Sequence, residues 1–311
     1  GGENSRIARL TFESGVSMIV KRRSAVPEQR RVAAVQRWYE REVYFYSALA
    51  AGLRVPRCAK AEYSHLTGEI LLVLEDCSKL KTSPKEGPAF YEAAVKAMAQ
   101  LHSLTVKNTG PLPRVPVHLA LAKAIEGYYR WAWSVVRDAY AELSDETRTL
   151  LEALSQEGVY TRLCERLAEG EVVVVHGDFR PDNMFFLADG DVLVYDWQFV
   201  CLAKGSYDFA YFLGLLPDRA SLDARLRQVY ADARKDFDAD AFFGLDLKVG
   251  VLLALASFVM GAATAADHDL HRTSITRLAD AATAWHATPS SSDNNALFGG
   301  AAPGSSSFAR E

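Results

Sequence analysis

Two short segments of this chain carry the side chains best suited to chemistry. Residues 172–186 read VVVVHGDFRPDNMFF, and residues 192–198 read VLVYDWQ. An apolar run ends at His176, a loop then carries Asp178, Arg180 and Asn183, and a second apolar run ends at Asp196. A carboxylate, a cation, a carboxamide and another carboxylate are thus expected at one end of a β cluster. That mixture suits phosphoryl transfer. One group orients an attacking hydroxyl, positive charge meets the moving phosphoryl group, and hard oxygen donors hold magnesium. Asp196 and the amide oxygen of Asn183 are donors of that kind.

The elements that must position these residues follow from the pattern around them. Residues 7–12 and 16–21 are strand-like and joined by Glu13-Ser14-Gly15, which predicts a hairpin. Residues 28–51 read as one helix stopped by Gly52. Residues 57–64 and 70–75 read as two more strands, separated by the turn Thr67-Gly68. Helices are predicted over 88–104, 117–140, 144–169, 207–215, 222–237, 241–265 and 275–287, interrupted by a β cluster at 172–175, 184–187 and 192–195. The spacing predicts an α+β, two-lobed architecture: a small antiparallel sheet with one helix over 1–76, a larger mostly helical lobe over 77–288, and an unstructured tail over 289–311.

Composition excludes several classes. The 311 residues are 49% hydrophobic and 24% charged with a net charge of −4, so nothing global points to nucleic acid or an anionic membrane. Residues 1–76 hold 12 basic against 9 acidic side chains, and the remainder 23 against 30. Cys58, Cys77, Cys164 and Cys201 form no CxxC pair, so no disulfide framework or zinc site is expected, and a reducing, cytoplasmic setting is. The apolar stretch 249–266 is rich in alanine and glycine and barely of spanning length, which predicts a buried core helix. Asp267, His268, Asp269 and His271 read as a polar helix junction, since no strand supports a metal site there. Tyr128, Tyr129, Trp131 and Trp133 cannot all face one way on a helix, so some are core and the others are candidates to line an apolar pocket.

The octapeptide His176-Gly177-Asp178-Phe179-Arg180-Pro181-Asp182-Asn183 resembles the catalytic loop shared by protein kinases and aminoglycoside phosphotransferases, and Asp196-Trp197-Gln198 resembles their metal-binding D-F-G. Over roughly residues 1–215 the chain is similar to the aminoglycoside phosphotransferase and choline kinase group. REVYFYSAL (41–49) and LLVLEDC (71–77) are most similar to its ecdysteroid-kinase-like branch. The resemblance implies a protein-kinase-like fold that uses ATP and Mg2+ and phosphorylates a small-molecule hydroxyl, possible acceptors being a hydrophobic alcohol, an aminoglycoside or a choline-like amine alcohol. A nucleotide-binding regulatory module without turnover is the alternative.

Residue by residue, the resemblance implies Asp178 as the base, Arg180 near the γ-phosphate, Asn183 and Asp196 on the metal, and His176 and Asp208 as supports of the loop. Lys21 would grip the α- and β-phosphates with a helical glutamate as its partner. Glu42 shares a face with Phe45, Tyr46 and Leu49, whereas Glu40 falls on the solvent side with Arg37 and Arg41, so Glu42 is the expected partner. Glu75 to Cys77 would form the hinge that pairs with adenine. Gly2 and Ser5 would belong to the end of a phosphate-covering loop whose preceding strand is missing. Asp208 comes only twelve positions after Asp196, too soon to leave room for the long segment with which protein kinases dock peptides, so a small acceptor is expected.

Overall fold

The computed structural model describes residues 5–105, 109–115, 119–264, 268–288 and 294–298. The chain opens with the expected hairpin, β1 (Ser5–Thr11) and β2 (Ser17–Arg23), closed by Phe12 N donating to Val16 O at 2.9 Å. Two helices follow, α1 (Pro27–Val35) and α2 (Trp38–Tyr44), and then β3 (Cys58–Tyr63) and β4 (Ile70–Glu75). The four strands form one antiparallel sheet in the order β1-β2-β4-β3. Lys21 sits opposite Leu72 in this sheet, so it shares the inner face with Ile70, Leu72 and Leu74, all buried.

The single helix expected over 28–51 is broken. Arg37 takes a left-handed backbone (φ 58°), which costs a non-glycine residue roughly 1–2 kcal/mol. Its guanidinium grips both oxygens of Glu40, at 2.7 and 2.8 Å, which helps hold the break. After Tyr44 the helix widens into a π turn, Phe45–Leu49, with Phe45 and Tyr46 buried. Arg41, expected on the solvent side, is fully buried. The kink has rotated α2 relative to the face extrapolated from a continuous helix.

The helical part begins with α3 (Gly87–His102), α4 (Ala122–Ala139), α5 (Asp145–Leu154) and α6 (Val159–Ala168). The helix expected over 144–169 divides into α5 and α6 because Gly158 adopts φ 79°, a conformation open to glycine. The β cluster is two separate ribbons: β5 (Val173–Val175) pairs with β8 (Cys201–Ala203), and β6 (Met184–Phe186) pairs with β7 (Val192–Val194). Then come α7 (Ser206–Leu215), α8 (Arg219–Ala233), the short α9 (Ala239–Ala241) and, through a π turn, α10 (Leu247–Ala262). They are followed by α11 (His268–Ala284) and α12 (Asn295–Phe298).

Helix α10 is apolar on every side and packs against α7, α11 and α4. By length and composition Ala239–Ala262 could cross a membrane, but 72% of its most apolar window is buried in the fold, as a core helix requires. Tyr129 and Trp133 are core, while Tyr128 and Trp131 stack on each other at 5.2 Å on the exposed side of α4. Residues 294–298 depart from the expected unstructured tail. Leu297 and Phe298 are buried, and Arg162 Nε donates to Leu297 O at 3.3 Å, so apolar burial overrides the polar composition around them. The rest of 289–311 lies outside the described residues.

Candidate active site

The two ribbons converge on the loop between β5 and β6. Its first turn depends on Gly177, whose φ is 83°; a Cβ there would run into the carbonyl oxygen of Phe199. The turn is tied down from α7. Asp208 is fully buried and accepts from His176 N at 2.6 Å and Gly177 N at 3.0 Å. The His176 ring bridges the same loop to the end of β7. Its Nδ1 accepts from Asp178 N at 3.2 Å, and Nε2 faces Tyr195 O at 3.0 Å. A neutral imidazole protonated on Nε2 satisfies both contacts, so this histidine is engaged in bonding the loop backbone.

Asp178 is held at both oxygens. Asn183 Nδ2 donates to Oδ2 at 2.8 Å and to the Asp178 carbonyl at 2.9 Å, and the Tyr211 hydroxyl donates to Oδ1 at 2.8 Å. Burial pushes the Asp178 carboxyl upward, and Arg180, His176, Tyr211 and Asn183 only partly offset it. With both of its N–H donors directed at Asp178, the Asn183 amide keeps its oxygen for another partner. Arg180 Nε lies 3.7 Å from Asp178 Oδ1 and 3.6 Å from Asp182 Oδ2, beyond hydrogen-bond range, and is buried without a hydrogen-bond partner.

Asp196 follows β7 with a left-handed backbone (φ 67°), which swings its carboxylate toward β2. Lys21 Nζ lies 2.7 Å from Asp196 Oδ1 and 2.9 and 2.8 Å from the two oxygens of Glu42. Burial alone would lower the lysine, but the two carboxylates outweigh it and the net shift is upward. Burial would likewise raise Asp196, yet Lys21 beside it takes the net shift downward. Glu42, deeper in the fold, is raised by its burial despite Lys21. Glu40 is engaged by Arg37 instead. The side chains of Asp178 and Asp196 keep 16% and 33% exposure, so both carboxylates open on solvent. Arg180 is within electrostatic reach of both.

Magnesium can be tested against this donor set. Asp196 offers an anionic oxygen and Asn183 an amide oxygen, and the two residues are linked through the backbone, where Tyr195 N donates to Asn183 O at 3.0 Å. That chemistry fits a hard divalent cation and disfavours zinc. Among the described residues no group of three or more His, Cys, Asp and Glu side chains could hold a metal by itself, so substrate oxygens would complete the shell.

The remaining expected positions are more dispersed. The N–H of Glu75 is taken by Arg57 O at 2.8 Å, and its carbonyl accepts from the Cys77 thiol at 3.8 Å. Cys77 is buried and begins a 3-10 turn capped by Asp76. Ser5, expected in a loop, is instead the buried first residue of β1, in register with Arg23. Gly2 lies outside the described residues, as does Asp267. Two contacts of this centre were not anticipated from the sequence. Tyr211 sits three residues after Asp208, and that spacing on one helix face was the available signal. His102, at the end of α3, is buried between Asp208 (3.4 Å) and the Tyr230 hydroxyl (2.7 Å), and nothing local announces it.

Residues 1–243 match the model of the phosphotransferase enzyme family. Among solved structures, the fold is similar to that of a spectinomycin phosphotransferase in complex with ADP and spectinomycin. There the TM-score is 0.58 and the identity 11%, over 92% of this chain and 91% of that one. A thermostable aminoglycoside phosphotransferase in ternary complex with AMP-PNP and hygromycin B gives 0.58 at 14% identity, over 94% and 93%. An amicoumacin kinase in complex with AMP-PNP and Ca2+ gives 0.55 at 13%, over 93% and 88%. At these identities the likeness speaks for the fold. A search of curated proteins finds no match.

Proposed function

We propose that this chain, which belongs to the phosphotransferase enzyme family, moves the γ-phosphoryl group of ATP to a hydroxyl of a small organic molecule. The observation that carries this reading is the arrangement of two solvent-reaching carboxylates around one arginine. Asp178 is clamped by hydrogen bonds and Asp196 is bridged to Lys21, with Arg180 between them. In the reaction the acceptor oxygen forms a bond to the γ-phosphorus, and the bond from that phosphorus to the β,γ-bridging oxygen breaks. The bonding electron pair leaves on ADP, and the acceptor proton passes to Asp178 and then to solvent. A divalent cation held by Asn183 and Asp196 supplies charge neutralisation on the phosphate oxygens.

This chain's own residues do the positioning. Lys21, fixed by Glu42, faces the phosphates, and the carbonyl of Glu75 with the N–H of Cys77 offers a donor–acceptor pair to adenine. Arg180 presents positive charge to the transferring group. Asp208 and His176 hold the loop that carries Asp178, so the base does not have to be organised during the reaction.

The acceptor reading is finer. The side chains next to Asp178 are a cation, Arg180, and an aromatic group, Tyr211 packed on Phe258 at 5.5 Å and Tyr207 at 5.8 Å. Arg180 and the aromatic group suit a neutral hydrophobic alcohol at Asp178, while the exposed Asp182 beside Arg180 keeps an aminoglycoside as the competing acceptor. This agrees with the ecdysteroid-kinase-like branch of the group. The test is acceptor-stimulated ADP release across sterols, other alcohols, aminoglycosides and choline analogues, with Asp178→Ala as control. Stimulation by apolar alcohols that disappears in the variant is expected. Stimulation confined to aminoglycosides would overturn the acceptor class, and nucleotide binding without any Asp178-dependent turnover would overturn the enzyme reading.

A further inference from the structure

Helix α7 touches the catalytic loop at two points one turn apart. Asp208 receives the backbone N–H groups of His176 and Gly177, and Tyr211, on the same helix face, reaches the Asp178 carboxylate at 2.8 Å. The other oxygen of that carboxylate accepts from Asn183 at 2.8 Å. Two donors on different oxygens oppose rotation of the carboxylate plane. A carboxylate offers about four acceptor directions, so an incoming hydroxyl still finds a free one.

We propose that Tyr211 is a positioning residue for phosphoryl transfer: its hydroxyl, acting against the Asn183 amide, holds the Asp178 carboxylate in the plane from which it meets the acceptor hydroxyl. The inference rests on the phosphotransferase reading of Asp178. Tyr211 is built for a fixed donor. It is 6% exposed, its ring packs on Tyr207 and Phe258, and burial keeps its phenol protonated far above its ordinary range. Arg180, at 3.7 Å from the same oxygen, is too far to replace it. The pair of anchors also explains why one helix serves both: loop backbone and base carboxylate move as one body with α7.

The experiment uses the full chain, Mg-ATP, and water as the acceptor. Tyr211→Phe keeps the ring packing and removes only the hydroxyl. Turnover is expected to fall about 10- to 100-fold, the range that a misplaced reacting group produces. KM for ATP and the affinity for AMP-PNP should stay within about twofold, because nothing that holds the phosphates has changed. In an Asp178→Ala background the same change should have no further effect on the residual rate. Phe212→Leu, the next residue on α7 and packed on Phe179 and Tyr91, is the stability control. It should lower the melting temperature yet keep turnover within about threefold. The proposal is overturned if Tyr211→Phe turns over within twofold of wild type. It is overturned too if its loss persists in the Asp178→Ala background, or if Phe212→Leu loses as much. Should the wild type show no Asp178-dependent turnover at all, the phosphotransferase reading fails and this inference with it. Asp178-dependent turnover that is indifferent to Tyr211 would sink the inference alone.

Discussion

Replacing Glu42 by alanine, with Glu40→Ala as its counterpart, tests how Lys21 is held. Lys21 and Glu42 are both almost fully buried, with side chains 7% and 1% exposed. Breaking a buried pair by removing one partner costs about 3–5 kcal/mol when the survivor is left alone. Here Lys21 keeps Asp196 at 2.7 Å, so about 2–3 kcal/mol is expected. For a chain of this length that lowers Tm by about 3–5 °C. Glu40 pairs with an Arg37 whose side chain is 42% exposed, and an exposed pair of that kind contributes about 0.5 kcal/mol. Thermal unfolding should therefore separate two glutamates that lie two residues apart. Calorimetry with Mg-AMP-PNP adds the functional side. Without Glu42 the lysine collapses onto Asp196, and affinity should fall about tenfold, or ~1.4 kcal/mol. Glu40→Ala should leave it unchanged. Equal Tm losses for the two variants, or a nucleotide affinity unmoved by Glu42→Ala, would refute the assignment of Glu42 as the residue that fixes Lys21.

Gly177→Ala forces a left-handed alanine and overlaps the Phe199 carbonyl; destabilisation of about 2–4 kcal/mol is expected by urea unfolding. Asp208→Asn turns one acceptor oxygen into a donor facing a backbone N–H, which should cost about 2–3 kcal/mol, and turnover should fall well below wild type in the ATP hydrolysis assay. Asp76 is held at about 2 by Ser78, Ser17 and Arg9 against the opposing effect of its burial. Because the folded value lies below the ordinary one, this stabilisation is complete above about pH 5. It is lost as pH falls toward 2, an effect of about 2 kcal/mol in all, of which about 1 kcal/mol is gone by pH 3. Denaturation at pH 6 and pH 3 should show about 1 kcal/mol more loss in wild type than in Asp76→Asn.

What could be read from the sequence was the part written locally. Alternating apolar runs bounded by Glu13-Ser14-Gly15 and Thr67-Gly68 specify strands without reference to the rest of the chain, and the structure has them at β1 to β4. The residues around Asp178 could be read for a similar reason: a turn that needs Gly177 and a loop bonded to its own Asn183 are short-range features. Arg41 was misplaced because the helical wheel assumes a continuous helix, and the break at Arg37 is held by an ion pair whose geometry no periodicity encodes. Strand β8 was missed because three residues, Cys201–Ala203, become a strand only through their pairing with β5. His102 is invisible for the same reason in stronger form, and only the spacing from Asp208 announces Tyr211. Their partners, Tyr230 and Asp178, lie 128 and 33 residues away.

Asp178 and Asp196 start from one chemistry and are driven in opposite directions by their surroundings. Asp196 lies against a lysine that Glu42 keeps charged, so its carboxyl is shifted down and it stays an anion, which the proposed metal-holding role requires. Asp178 is largely withdrawn from solvent with two neutral donors, and its nearest cation stands 3.7 Å off. Burial therefore dominates and the carboxyl is shifted up, toward the range in which a carboxylate can take a proton. Exchanging the two environments would give a weaker base and a weaker ligand at once. The division of labour proposed for base and ligand thus depends on where Lys21 is. Lys21 is there because β2 pairs with β4 in the register that aims it inward beside Leu72, at Glu42 and Asp196.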